Sequence, residues 1–155
     1  MKKLMILLLL LTLSLRMYAS AGVRVNTGTI CSDIQGVFYA YIGSTLVGVT
    51  QAISLPSGIN KDYLYSDFTW TVDPGPWDGA TNNWSITAAD IFDCVGSQSS
   101  SALPCGVYDF VSTVANGPAA CFDYSTTCGA CGTASPSVLI SFTGGGPLTS
   151  LTVNQ

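Results

Sequence analysis

Ile34-Gln-Gly-Val-Phe-Tyr-Ala-Tyr-Ile42, Gly43-Ser44, and Thr45-Leu-Val-Gly-Val-Thr-Gln-Ala-Ile-Ser-Leu55 form the stretch that decides the fold class. Along an extended chain, Ile34, Gly36, Phe38, Ala40 and Ile42 share one side, and Gln35, Val37, Tyr39 and Tyr41 the other. Gly43-Ser44 has the Gly-first pattern of a two-residue hairpin turn. The return run from Thr45 to Leu55 puts Val47, Val49, Ile53 and Leu55 on one face, and Pro56-Ser57-Gly58 ends it. The stretch reads as a β-hairpin with one face in a core.

The rest of the chain continues this pattern. Gly22–Thr29 alternates weakly and reads as a first strand or a free N-terminal arm. Tyr63–Val72 reads as one strand with Phe68, Trp70 and Val72 in register. Asp73-Pro-Gly-Pro-Trp77-Asp78-Gly79 is a loop stiffened by two prolines. Thr87-Ala-Ala-Asp90 has the form of a helix start, with Thr87 as cap and Asp90 in the first turn. Gly106–Val114 is apolar on both faces, as in a central buried strand. Asn116-Gly-Pro118 is a turn, and Phe122 and Tyr124 mark a short strand. Val138–Phe142 and Leu148–Val153 are the last two strands, divided by Gly144-Gly-Gly-Pro147. About eight strands at this spacing predict an all-β domain, a β-sandwich or jelly-roll-like barrel with at most one short helix.

The N-terminus indicates an export signal. Met1-Lys2-Lys3 is a positive start, Leu4–Leu15 an uncharged apolar run of about 12 residues, and Ala19-Ser20-Ala21 a small-x-small cleavage site. Residues 1–21 are expected to be a signal peptide and 22–155 a single domain, secreted to the extracellular space or cell surface. A retained anchor helix is the alternative, although about 12 residues are short for a bilayer.

The mature part retains Arg24 and Lys61 as its only cations against nine aspartates, a formal −7. It has no basic stripe for nucleic acid and no attraction to anionic lipid, so neither is an expected partner. Charged residues make up 9% of the chain, where a soluble monomer carries about a quarter. A surface of Thr, Ser, Asn and Gly suits a protein covered by its own copies or by glycan.

Six cysteines, Cys31, Cys94, Cys105, Cys121, Cys128 and Cys131, in an exported chain read as three disulfides stapling the domain. Locality favours Cys94–Cys105, worth roughly 3 kcal/mol in the chain-entropy model. Cys121 then pairs with Cys128 or Cys131, and the remaining one reaches Cys31. Cys128-Gly-Ala-Cys131 has redox spacing, but Gly132 and a Ser/Pro loop follow it instead of a helix. Zinc held by Cys105, Cys121, Cys128 and Cys131 is the lesser alternative, because export favours oxidation. No metal or cofactor is expected.

The chain has no histidine and no glutamate. Ser-His-Asp and Cys-His catalysis and Glu acid/base pairs are therefore excluded, and no enzyme is expected. Asp90 and Asp93 would share a face of the expected helix, most simply a solvated one. Trp77 with Asp78, and Trp84 after Asn82-Asn83, have the composition of a carbohydrate platform: rings for a pyranose face and polar groups for its hydroxyls. Asn83-Trp84-Ser85 is an N-glycosylation sequon. Asp73 and Asp78 bracket loop carbonyls that are a weak match to a calcium loop.

The expected function is that of an exported structural subunit of an extracellular filament, coat or matrix, forming a homopolymer. It would assemble by strand addition, with Gly22–Thr29 as first choice of arm and Leu148–Gln155 as second, or by packing of uncharged surfaces. The alternative is a secreted carbohydrate-binding or adhesive module using Trp77, Asp78 and Trp84.

Overall fold

A computed structural model of the chain describes residues 21–28, 30, 33–92, 110–123, 137–144 and 147–154. These residues are nearly all β. Eleven strands run in the order β1 (Gly22–Asn26), β2 (Ile34–Ile42), β3 (Thr45–Thr50), β4 (Ile53–Leu55), β5 (Asn60–Leu64), β6 (Trp70–Val72), β7 (Ser85–Phe92), β8 (Phe110–Val114), β9 (Ala120–Asp123), β10 (Ser137–Thr143) and β11 (Leu148–Asn154). The one helical element among them is a 3₁₀ turn at Tyr65–Asp67, with Asp67 accepting from the Leu64 amide at 2.8 Å.

The strands form two sheets. Sheet I has the order β5-β1-β11-β10-β9, and sheet II the order β6-β3-β2-β7-β8 with β4 also on β2. Among the described residues no ladder joins the sheets into a closed barrel, so the architecture is sandwich-like. One buried core lies between them. Sheet I contributes Val23, Val25, Tyr63, Leu151 and Val153, and sheet II contributes Ile34, Phe38, Ala40, Ile86 and Ile91. Burial of this apolar surface at about 25 cal/mol per Å² is what holds the layers together.

The 34–55 hairpin forms as its alternation predicts on the β2 side: Ile34, Gly36, Phe38 and Ala40 are buried. Gly43 turns at φ +60, a left-handed value that favours glycine. The return strand differs from expectation. It breaks at Gln51-Ala52 into β3 and β4, and β3 buries Gly48 and Thr50 rather than Val47 and Val49. A bulge opposite Ala40/Tyr41 re-phases it, because Tyr41 pairs with Leu46 while Ala40 pairs with Gly48. At the break, the Thr50 hydroxyl accepts the Phe38 amide at 2.9 Å, and a buried donor stays satisfied where the ladder stops.

Three other expectations are corrected. Thr87–Asp90 is not a helix but the middle of β7, the strand beside β2. A bulge puts Ile86 opposite Ala40 and Ala88 opposite Tyr39, so Ile86, Ala89 and Ile91 all face inward. The bulge stretches the inward spacing from two to three residues, which imitates helical periodicity. Tyr63–Val72 is not one strand: β5 lies in sheet I, β6 in sheet II, and the 3₁₀ turn carries the chain between them. Of the expected Gly106–Val114 strand, residues 106–109 lie outside the described residues, and among the described residues β8 is not central but ends sheet II, with Val114 55% exposed.

Candidate functional site

The outer face of sheet II carries a largely apolar cross-strand row. Cross-strand partners line up Val72 with Val49, Val49 with Tyr39, Tyr39 with Ala88, and Ala88 with Val114. Partners in register share a face, so this row crosses all five strands from edge to edge. Its two ends are the most exposed large apolar side chains among the described residues, Val72 at 50% and Val114 at 55%. Leu46, at 46%, stands opposite Tyr41 nearby.

The row itself carries no charged side chain, and the row beside it carries one carboxylate. Asp90, in the next row opposite Val37 and Ser112, accepts the Tyr39 hydroxyl on one oxygen and the Ser112 hydroxyl at 2.6 Å on the other. Burial, with the Asp90 hydrogen bond second, pushes the Tyr39 phenol up to about 12. Tyr39 thus stays neutral and tethered across the physiological range.

The proposed sugar platform is placed differently. Trp84 is fully buried and presents no ring face to solvent, while its indole donates to Gly75 O at 2.9 Å. It meets Trp70 edge-on at 5.6 Å, and Tyr65 stacks on Trp70 at 5.8 Å. With Phe38, Tyr63 and Phe68 these rings plug one end of the core. Trp77 is half-buried and lines an open cleft of about 220 Å³ with Ala21, Leu64, Tyr65, Ser66 and Pro76. The structure does not bring Trp77 and Trp84 together on one exposed surface.

Asp78 is occupied by its own loop. Its carboxylate accepts the amides of Ala80, Thr81 and Asn82 at 2.8–2.9 Å and the Thr81 hydroxyl. That hydroxyl, followed by the Asn82 and Ala80 amides, holds the carboxyl at about 2. The loop's other oxygens are also engaged. Asn82 donates to Pro74 O and Pro76 O at 2.8 Å each, and Asp73 accepts the Gly75 amide at 2.7 Å and the Tyr65 hydroxyl at 3.0 Å. These oxygens already serve the loop's own donors, which weakens the calcium reading of Asp73 and Asp78. The sequon's Asn83 is exposed, between Asn82 and buried Trp84.

The remaining cysteine and leader expectations fall mostly on undescribed positions. Residues 1–20, Cys31, Asp93, Cys94, Cys105, Cys128 and Cys131 lie outside the described residues, and Cys121 is placed by its backbone alone, opposite Leu139. Ala21, on the leader side of the expected cut, is buried in the core. Gly22–Asn26 is not a free arm but an inner strand, parallel to β11 and antiparallel to β5.

The apolar row was the feature that residue-by-residue reading missed. Its signal was present in the hairpin, since Val37, Tyr39 and Tyr41 oppose a face that is itself apolar. No protein-family model matches the chain, and no curated protein or solved structure matches it.

Proposed function

We propose that this chain is an exported structural subunit, a disulfide-stapled β-sandwich that self-associates outside the cell through the outer face of sheet II. The carrying observation is the Val72–Val49–Tyr39–Ala88–Val114 row, apolar from one sheet edge to the other and exposed at both ends. Five strands of three to nine residues, at about 3.3 Å per residue and about 4.8 Å apart, give roughly 500 Å² per copy. Two such faces bury roughly 1,000 Å², the lower bound of a specific interface.

A second copy suits this face on charge. The mature chain's −7 repels its own copies in general, so association needs a face with few charges. The row carries none, and Asp90 beside it keeps its charge with its oxygens solvated by the Tyr39 and Ser112 hydroxyls. The composition supports the same reading, because the chain lacks histidine and glutamate for catalysis and its cysteines suit oxidation after export. For the glycan alternative, Trp84's burial leaves Trp77 and the exposed sequon Asn83.

Sedimentation of the mature protein over a range of concentrations tests the proposal. The wild type should associate, and Val72→Lys/Val114→Lys should stay monomeric with an unchanged melting temperature. A wild type that is monomeric at high concentration, or a double variant that associates equally well, would overturn it. Six free thiols found by mass spectrometry of the mature material would remove the staple.

A further inference from the structure

We infer that the slot between β5 and β11 accepts β1 from a second copy of this chain, so that residues 22–27 of one subunit complete sheet I of the next. The inference deepens the self-association reading and rests on it.

β1 stands inside its sheet, between β5 and β11, with no hairpin to place it. Its partners are far along the chain, 38 residues away at the Arg24–Asp62 pair and 127 at the Thr149–Gly22 bond. A hairpin strand takes its register from its turn, whereas β1 must take its register from recognition.

The recognition features are those of a bound peptide: a backbone ladder, alternate side chains in apolar pockets, and polar clamps at the ends. Val23 and Val25 are fully buried. At one end only glycine fits, since a Cβ on Gly22 would stand 2.1 Å from Tyr63 O, and the Gly22 amide donates to Pro147 O at 2.9 Å. At the other end the Thr27 hydroxyl donates to Pro56 O at 2.6 Å and accepts the Ile59 amide at 2.9 Å. Between them Arg24 forks onto both oxygens of Asp62 at 2.6 and 2.8 Å. One of the mature chain's two cations is thus used to fix the position of this strand.

None of these partners belongs to the segment that leads from β1 to β2, so the contacts are identical whichever copy supplies the strand. Exchange of identical elements costs little contact energy, and mass action decides the outcome. Gly28, directly after the clamp, turns the chain at φ +51, so a swapped subunit would have to reopen the bond its carbonyl accepts from the Gly58 amide at 2.7 Å before the chain diverges. A different protein would have to reproduce the small residue, the two valines, the arginine and the threonine in register, and a copy of the chain does so by construction. Removal of the leader gives the strand a free end to thread.

Charge exchange tests this on the full mature chain. Arg24→Asp and Asp62→Arg each set like charges together at an exposed pair, which the fold tolerates because such pairs contribute only about 0–1 kcal/mol. If strands pass between copies, mixing the two mass-tagged variants should enrich mixed assemblies about threefold or more over the random 1:2:1 ratio, by native mass spectrometry. In addition, excess peptide Gly-Val-Arg-Val-Asn-Thr-Gly should shorten wild-type assemblies, and the same peptide with Gly22→Val should not. Random mixing together with assemblies indifferent to the peptide would overturn strand exchange while leaving association through sheet II standing. A wild type that never assembles would overturn both.

Discussion

Across the outer face of sheet I the rows read Asp62–Arg24–Ser150–Thr143 and Asn60–Asn26–Thr152–Ser141. Across sheet II the central row reads Val72–Val49–Tyr39–Ala88–Val114. Both sheets bury a similar aliphatic inner face against the same core, so stability does not require the outer faces to differ. Sheet I carries the polar alternation of a wetted sheet, with its ion pair in solvent. The central row of sheet II lacks that polar character, and Asp90 and Ser112 lie one row away. The contrast sets a solvated face beside the face through which association is proposed.

The largest expected effect removes the floor both faces share. Trp84→Ala should cost about 3–5 kcal/mol in chemical denaturation, since it deletes a fully buried ring and leaves its cavity behind. Both faces should be lost together, with association falling only as the folded fraction falls.

The next effect separates the faces. Ser150→Lys/Thr152→Lys on sheet I should leave association and stability within about 0.5 kcal/mol of wild type. The matching pair of lysines at Val72 and Val114 should weaken association tenfold or more, about 1.4 kcal/mol. Equal responses in sedimentation would erase the contrast.

A smaller effect lies inside sheet II. The buried Thr113 hydroxyl has no hydrogen-bond partner. Thr113→Val should stabilise by about 1 kcal/mol in thermal or chemical unfolding without touching either outer face.

The smallest effect is confined to the loop at the end of the core. Asp78 is held at about 2 in the folded chain against an ordinary 3.8. A depressed carboxyl contributes ordering that is complete above about pH 4 and is lost as pH falls toward 2. Trp77 fluorescence should therefore shift over that window, and Asp78→Asn should abolish the shift while leaving association at neutral pH intact.

Alternation was enough to read β2, the Gly43 turn and β11, where inward and outward positions alternate, and to place the backbone of β10 between β9 and β11. It failed wherever a bulge changed the phase. The helix start was read from Thr87 as a cap and Asp90 in a first turn, whereas the bulge opposite Tyr39/Ala40 sets Ile86, Ala89 and Ile91 inward on a strand, and the bulge opposite Ala40/Tyr41 exchanged the faces of β3. Trp84 could be read as exposed or buried from its Asn neighbours alone, and its burial follows from a loop held over it by the Asp78 and Asn82 hydrogen bonds. The row on sheet II was illegible for a different reason. It is assembled from five strands, and its members meet only through a register that no single stretch encodes.

Hydroxyl-radical footprinting of the mature protein, dilute and concentrated, tests the contrast between the faces most directly. The account predicts that Tyr39, Tyr41, Leu46, Val72 and Val114 lose reactivity on concentration while Arg24, Thr152 and Asn154 keep theirs. Unchanged reactivity along the sheet II row in associated material, or protection that falls on sheet I instead, would contradict it.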